Sequence, residues 1–409
     1  MLNTKFSPWP SFSTEEAKKI TQVLLSNEVN YWTGQEGREF EREFAAYFET
    51  DYAIAVANGT LALDLALVAL GIGANNGGSL NDEVIVTPRT FLASASSIVI
   101  AGAKPVFADI DLNSQNITAQ NISKVYTENT RAVIAVHLGG FPCEMDDILA
   151  FAEEKGIYVI EDCAQAHGAK YKGRSVGSIG HIGCWSFCQD KIMSTGGEGG
   201  MVTTNDEKLW SKMWSYKDHG KSWDAIYNKE HPPGFRWLHD SFGTNWRLTE
   251  IQSAIGRIQL KKMSEWTLKR NNHQSTIWES ASSLRGIRVP YLKCNSCSNY
   301  SNCDGNGCSH AAYKCYVFIE PHLLKSGWDR DRIMTEINKK GVPCFSGTCS
   351  EVYLEKAFDK IDSRPITRLP AAKLLGEISL MFLVHPTLTN EEIKLTCDVL
   401  KQVMNEATV

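Results

Sequence analysis

Residues 186–200 read Ser186-Phe187-Cys188-Gln189-Asp190-Lys191-Ile192-Met193-Ser194-Thr195-Gly196-Gly197-Glu198-Gly199-Gly200. The run 182–187 ahead of Lys191 is short, apolar and strand-like, while the glycines behind it interrupt any helix and let backbone approach closely. A lysine in this place has two readings. It is a solvated loop residue, as most lysines are, or an amine in a partly desolvated pocket that can lose its proton and attack a carbonyl carbon.

Upstream, the apolar strand 158–160 runs into Glu161-Asp162-Cys163-Ala164-Gln165-Ala166-His167-Gly168. A carboxylate at a strand end in a crevice is costly unless something cationic meets it, and a protonated heteroaromatic nitrogen would do so. An acid that favours a helix start is the plain alternative. Further back, Ala57-Asn58-Gly59-Thr60 turns an apolar strand sharply into a helix. Backbone N–H groups there, with a Thr hydroxyl beside them, favour a phosphate, although any capped strand-to-helix turn shares this pattern. No G-x-x-x-x-G-K-[ST] occurs, and no G-x-G-x-x-G opens a helix after a strand, which demotes P-loop and dinucleotide readings.

Around these segments the pattern alternates. Phe40, Phe44, Tyr47 and Phe48 have helical spacing; strands are expected at 52–57, 83–86, 105–110, 132–137 and 158–162, and a buried helix at 61–70. The rhythm predicts an α/β fold with a mainly parallel central sheet covered by helices on both faces, its ligand site beyond the carboxyl ends where Asn58, Pro88, His137 and Asp162 fall. Residues 261–272 read as an exposed connecting helix. Beyond them, strands at 314–320 and 378–383 and helices near 329–340 and 390–405 suit a smaller C-terminal α+β domain, giving domains 1–260 and 261–409.

The chain has 409 residues with 42 Lys plus Arg against 47 Asp plus Glu, a net charge of −5, and no basic block that could follow a nucleic acid. Its start lacks a secretory pattern. The apolar stretch 53–74 is broken by Asn58, Gly59, Thr60 and Asp64, so no membrane span is expected and a cytoplasmic protein is. Of 12 cysteines, Cys143, Cys163, Cys184, Cys188, Cys344 and Cys397 sit singly as reduced, packed thiols. Cys294-x2-Cys297-x5-Cys303-x4-Cys308 differs: its thiolates could wrap a structural zinc, with His310 as a spare ligand, or stand free in a polar surface loop; iron–sulfur ligation is a third choice.

A turn for phosphate, an acid for a ring nitrogen and a lysine for an aldehyde match the three handles of pyridoxal 5′-phosphate. With Pro88-Arg89-Thr90-Phe91, Gly243-Thr244-Asn245-Trp246-Arg247 and Ala254-Ile255-Gly256-Arg257-Ile258-Gln259-Leu260 added, the chain resembles the sugar aminotransferases of the DegT/DnrJ/EryC1/StrS family, from Trp32-Thr33-Gly34 to the C-terminus. The resemblance implies the pyridoxal-phosphate-dependent transferase fold of type I, that of aspartate aminotransferase. It implies Lys191 as the lysine that bonds the cofactor and moves protons, and Asp162 as partner of the pyridine nitrogen. Gln165 would sit at the phenolic oxygen and ring face, Phe91 on the ring, and Gly59, Thr60 and Ser186 at the phosphate. Asn245 would reach the phosphate from a partner subunit, making a homodimer, and His219 would lie near the sugar. L-glutamate would donate the amino group to a nucleotide-linked keto sugar, most often a 4-keto-6-deoxyhexose on UDP, dTDP or GDP. Residues 223–240 and 345–353 would shape that choice. A dehydratase branch replaces the lysine, so Lys191 argues against it; a non-enzymatic cofactor- or sugar-binding regulator would not need Lys191 at all.

Overall fold

The computed structural model describes residues 6–290 and 307–409. Helix α1 (Thr14–Ser26) starts on a capping box made by Ser13 and Glu16. Helix α2 (Glu36–Tyr47) buries Phe40 and Phe44, as their spacing requires. Strand β1 (Tyr52–Val56) turns into α3 (Gly59–Leu70), whose cap Asn58 accepts the Leu61 N–H at 3.0 Å. In the same rhythm follow β2 (Glu83–Val86), α4 (Ala93–Ile100), β3 (Lys104–Phe107), α5 (Ala119–Ser123), β4 (Thr130–Val136), α6 (Met145–Lys155) and β5 (Tyr158–Asp162). A hairpin of β6 (Lys170–Tyr171) and β7 (Arg174–Ser175) leads to β8 (Ile182–Ser186), β9 (Gly200–Thr204), α7 (Glu207–Tyr216) and α8 (Trp223–Tyr227).

Helix α9 (Glu250–Ser282) is 33 residues long and opens on a second capping box, Thr249 with Gln252. The expectation of an exposed connecting helix at 261–272 is corrected here. That stretch is the middle of α9, and Met263, Trp266 and Arg270 are buried on it; its many lysines and asparagines hid a narrow apolar stripe. After α9 come β10 (Ile287–Arg288), β11 (Cys315–Ile319), α10 (Arg330–Lys339), β12 (Cys344–Phe345), α11 (Pro370–Ile378), β13 (Ser379–Phe382) and α12 (Asn390–Ala407).

Seven strands form one sheet in the order β1-β9-β8-β5-β4-β2-β3, and the later four form a second sheet, β10-β11-β13-β12, paired antiparallel. From β3 to β8 every neighbouring pair in the large sheet is parallel, while β9 runs against both β1 and β8. The sheet is therefore mainly parallel and α/β, as expected. Alternate residues feed opposite cores: Val84, Ile134, Ile160 and Ile182 pack with α3 and α7, while Ile85, Val133 and Val159 pack with α6. Trp185 and Met201 meet Phe40 and Phe44 of α2.

The alternation also parts two neighbouring acids on β5. Asp162 ends the strand, whereas Glu161 turns into the protein and is fully buried. Its Oε1 accepts N–H groups of Ile179 at 2.9 Å and Gly180 at 2.6 Å, and its Oε2 accepts that of Gly177 at 2.9 Å. His137 Nε2 completes the set at 3.0 Å, while His137 Nδ1 accepts the Cys143 N–H at 3.0 Å, a pattern that assigns the proton to Nε2. His137 thus does not face a ligand from its strand end; it braces Glu161. Burial pushes the Glu161 carboxyl up, but the His137 hydrogen bond and the backbone donors outweigh it and hold the group below its ordinary value of 4.5.

Glu161→Gln leaves an NH2 facing backbone N–H donors, so urea unfolding at pH 7 should show a loss of about 2–4 kcal/mol. Because the folded-state value is depressed, the unfolded chain takes up this proton first. The contribution is present above about pH 4.5 and is lost as pH falls through the folded-state value. The variant's stability should therefore fall less steeply below that pH than the wild type's; equal slopes would reject the assignment.

Candidate active site

At the carboxyl ends of the parallel strands, two glycines set the spacing. A Cβ on Gly200 would stand 2.5 Å from the Asn58 carbonyl group, and one on Gly59 would stand 2.5 Å from the Ser186 Cβ. The start of β9, the end of β8 and the turn after β1 therefore touch, bringing Gly59 and Thr60 beside Ser186. Asn58 takes the N–H of Leu61, and the N–H groups at the very start of α3 have no acceptor within the helix. Such a cradle of backbone donors with two hydroxyls suits a phosphate.

Asp162 ends β5, next to β8, where it pairs with Cys184 two residues before Ser186. Its carboxylate is buried, accepting the Ser94 hydroxyl at 2.7 Å and the Ala164 N–H at 3.1 Å. Among the described residues no lysine, arginine or histidine forms an ion pair with it. A buried carboxylate with only neutral donors is suited to a cationic guest. Gln165 is buried nearby, its Oε1 accepting the Gly139 N–H at 2.8 Å, which turns its NH2 to donate elsewhere. Phe91, at the entry to α4, is 67% exposed, an aromatic face left bare.

Lys191 lies on the loop between β8 and β9, and its side chain is only 16% exposed. The loop is pinned from α9: Gln259 accepts the Ser194 N–H at 2.8 Å and Gln252 donates to the Glu198 carbonyl at 2.9 Å. The motif at 254–260 thereby acquires a physical reason, since Gly256 also lets α9 press on Phe40. A third contact comes from the N-terminal arm, where the Trp9 indole donates to the Lys191 carbonyl at 2.8 Å. Trp9 stacks on His385 with centroids 5.9 Å apart, and the Arg270 guanidinium lies 4.9 Å from its ring. Burial pushes Arg270 down to about 9 and Lys314, which also neighbours Lys191, down to about 8. No pattern in the sequence pointed to Trp9, Arg270 or Lys314.

Asn245 and His219 are brought together, because Asp218 pairs with Asn245 and the His219 N–H donates to the Thr244 carbonyl at 2.9 Å. Arg247 and Lys221 clamp Asp218 at 2.5 and 3.2 Å. Both Asn245 and His219 are exposed, and Trp246 accepts the Ala57 N–H at 2.9 Å, which ties this strip to the end of β1.

Zinc finds no support. Cys294, Cys297 and Cys303 lie outside the described residues; Cys308 is buried in the α6 core, its sulfur accepting the Lys172 N–H at 3.4 Å. His310, the spare ligand, packs on Phe141 and Trp278, and its Nδ1 accepts the Ala312 N–H at 2.7 Å. Among the described residues, His137, Glu161 and Cys163 do lie within reach of a common ion. Their ring nitrogens and carboxylate oxygens are already engaged, and burial holds the Cys163 thiol protonated, so they form a hydrogen-bonded brace rather than a metal site.

Known proteins resemble the chain over much of its length. The aminotransferase of Psychrobacter cryohalolentis, a solved structure, is 59% identical and superposes with a TM-score of 0.93 over 98% of this chain and 99% of that one. A GDP-perosamine synthase of Escherichia coli O157:H7 is 38% identical over 264 residues, 64% of this chain and 67% of its own. A dTDP-3-amino-3,4,6-trideoxy-alpha-D-glucose transaminase of Streptomyces venezuelae is 35% identical over 279 residues, 68% of this chain and 69% of its own. Residues 10–401 match the family model as well, and the protein therefore belongs to the DegT/DnrJ/EryC1/StrS aminotransferase family.

Proposed function

We propose that the protein uses pyridoxal 5′-phosphate to transfer the amino group of L-glutamate to a nucleotide-linked keto sugar, a 4-keto-6-deoxyhexose serving surface polysaccharide or amino-sugar synthesis in the cytoplasm. The observation that carries it is Asp162: a buried carboxylate that forms no ion pair among the described residues, one strand away from a cradle suited to a phosphate and from the loop of Lys191. The sugar relatives, whose names speak of GDP- and dTDP-linked amino sugars, support the substrate class. The division into a cofactor-holding unit over 1–260 and a smaller unit over 261–409 belongs to the same proposal, with α9 common to both.

When bound, pyridoxal phosphate supplies an electron-withdrawing ring that lets the carbon bearing the amino group lose a proton. Gly59, Thr60 and Ser186 would hold its phosphate, Asp162 would keep a proton on its ring nitrogen, and Gln165 and Phe91 would fix the ring's tilt. Lys191, kept at the cleft by its pinned loop, would be the residue that takes up and gives back the proton of the carbon bearing the amino group. Asn245 would complete the phosphate site of a second copy. The neighbouring Phe235, Trp237 and Phe242 are more than 80% exposed, an apolar patch of the kind a partner subunit covers.

Borohydride reduction of the yellow protein should leave a pyridoxyl group on Lys191 by peptide mapping, and its appearance on another lysine would overturn the role. Lys191→Ala should lower amino-sugar formation by about 10²–10⁴-fold, with product read by mass spectrometry after incubation with glutamate and a panel of nucleotide keto sugars. Mixing Lys191→Ala with Asn245→Ala subunits should rebuild one intact site per heterodimer and recover activity. No recovery would place Asn245 in the site of its own chain.

A further inference from the structure

Asp190 precedes the amine-bearing residue and has no part in the chemistry above. Its Oδ1 stands 3.5 Å from the Lys191 Nζ, and its Oδ2 accepts the hydroxyl of Tyr313 from the segment ahead of β11. Tyr313 is buried, 7% exposed, and the Lys191 Nζ lies 5.3 Å from its ring centroid. A single tyrosine therefore fixes the carboxylate with its hydroxyl and faces the amine with its ring.

The charges around this point are unequal. Lys191 itself, Lys314 beside Tyr313 (4.9 Å from the ring centroid) and Arg270 from α9 are the cations. His167, behind the loop, is held neutral by burial, which pushes it down to about 3. Cys188 before this point and Glu198 after it lie on the same loop, the thiol donating to the Glu198 carboxylate at 3.8 Å. Among the described residues Asp190 is the only carboxylate that forms an ion pair with Lys191. Lysine carries its charge on a flexible four-carbon stem, so a free amine would otherwise wander through many rotamers.

We propose that Asp190, locked by Tyr313, is a positioning residue: it holds the Lys191 ammonium in the cleft during the part of the cycle when that amine is not bonded to a carbonyl group. The inference rests on Lys191 being the cofactor lysine. The contact is long for an ion pair, at 3.5 Å, and Asp190 is 57% exposed, so a modest effect is expected.

The test uses the full-length protein freed of aldehyde cofactor with hydroxylamine, dialysed and reloaded with pyridoxamine 5′-phosphate, which cannot bond the lysine. Trace acetylation by acetic anhydride at pH 7.5 is followed by mass spectrometry, with exposed Lys208 as internal reference. Asp190→Asn should speed acetylation of Lys191 by about three- to tenfold, Tyr313→Phe by less, and Asp190→Glu should restore the wild-type rate, all with Lys208 unchanged. An unchanged or slower rate at Lys191 in Asp190→Asn overturns the proposal. Borohydride labelling of the wild type keeps the two ideas apart. Label on Lys191 with no Asp190 effect sinks this inference alone, whereas label elsewhere sinks the catalytic role of Lys191 and this inference with it.

Discussion

A single buried carboxylate, Glu161, holds the geometry on which the site depends. Four donors converge on it: three backbone N–H groups from 177–180 and the ring of His137. They tie together the end of β4, the end of β5 and the approach to β8. With strand period two, fixing Glu161 inward obliges Asp162 to face the other way, into the cleft. Two neighbouring acids are therefore buried in different ways: Glu161 is met by three backbone N–H groups and a histidine ring, Asp162 by the Ser94 hydroxyl and the Ala164 N–H.

The loop of Lys191 shows a different economy. Ile192 and Met193 bury themselves in the core beneath it, and its glycine-rich remainder is held from outside by Gln252 and Gln259 of α9 and by Trp9. Trp9 itself stacks on His385 and meets Trp266 of α9 edge to face. Ser7 and Pro8 are moored to Glu392 and Thr387 near the start of α12. The N-terminal arm thus links the small sheet's last helix to the backbone of Lys191.

Much of this was legible in the sequence because it is local. Apolar runs ending in Asn58-Gly59 or in Glu161-Asp162 announced strands and their carboxyl ends, and the ordered motifs announced the family. Strand β9 was missed because Gly200 and two threonines dilute its apolar signal in a five-residue run. The extent of α9 was missed because its buried stripe is narrow against a polar surround. Trp9, 182 positions from Lys191, leaves no periodic trace at all, and the Tyr313–Asp190 contact spans 123 positions. The inward turn of Glu161 and His137 follows from strand alternation only once the sheet's faces are known, since either acid could have been the one in the cleft.

Helix α9 carries a mechanical consequence. At 1.5 Å per residue its 33 residues make a rod of roughly 50 Å; Gln252 and Gln259 near one end grip the lysine loop, and Ile277 and Ala281 near the other are embedded in the core of the small sheet. A rod fixed at both ends acts as a tie beam. Any displacement of the small sheet's core along this rod would be passed through Gln252 and Gln259 to the loop that carries Lys191.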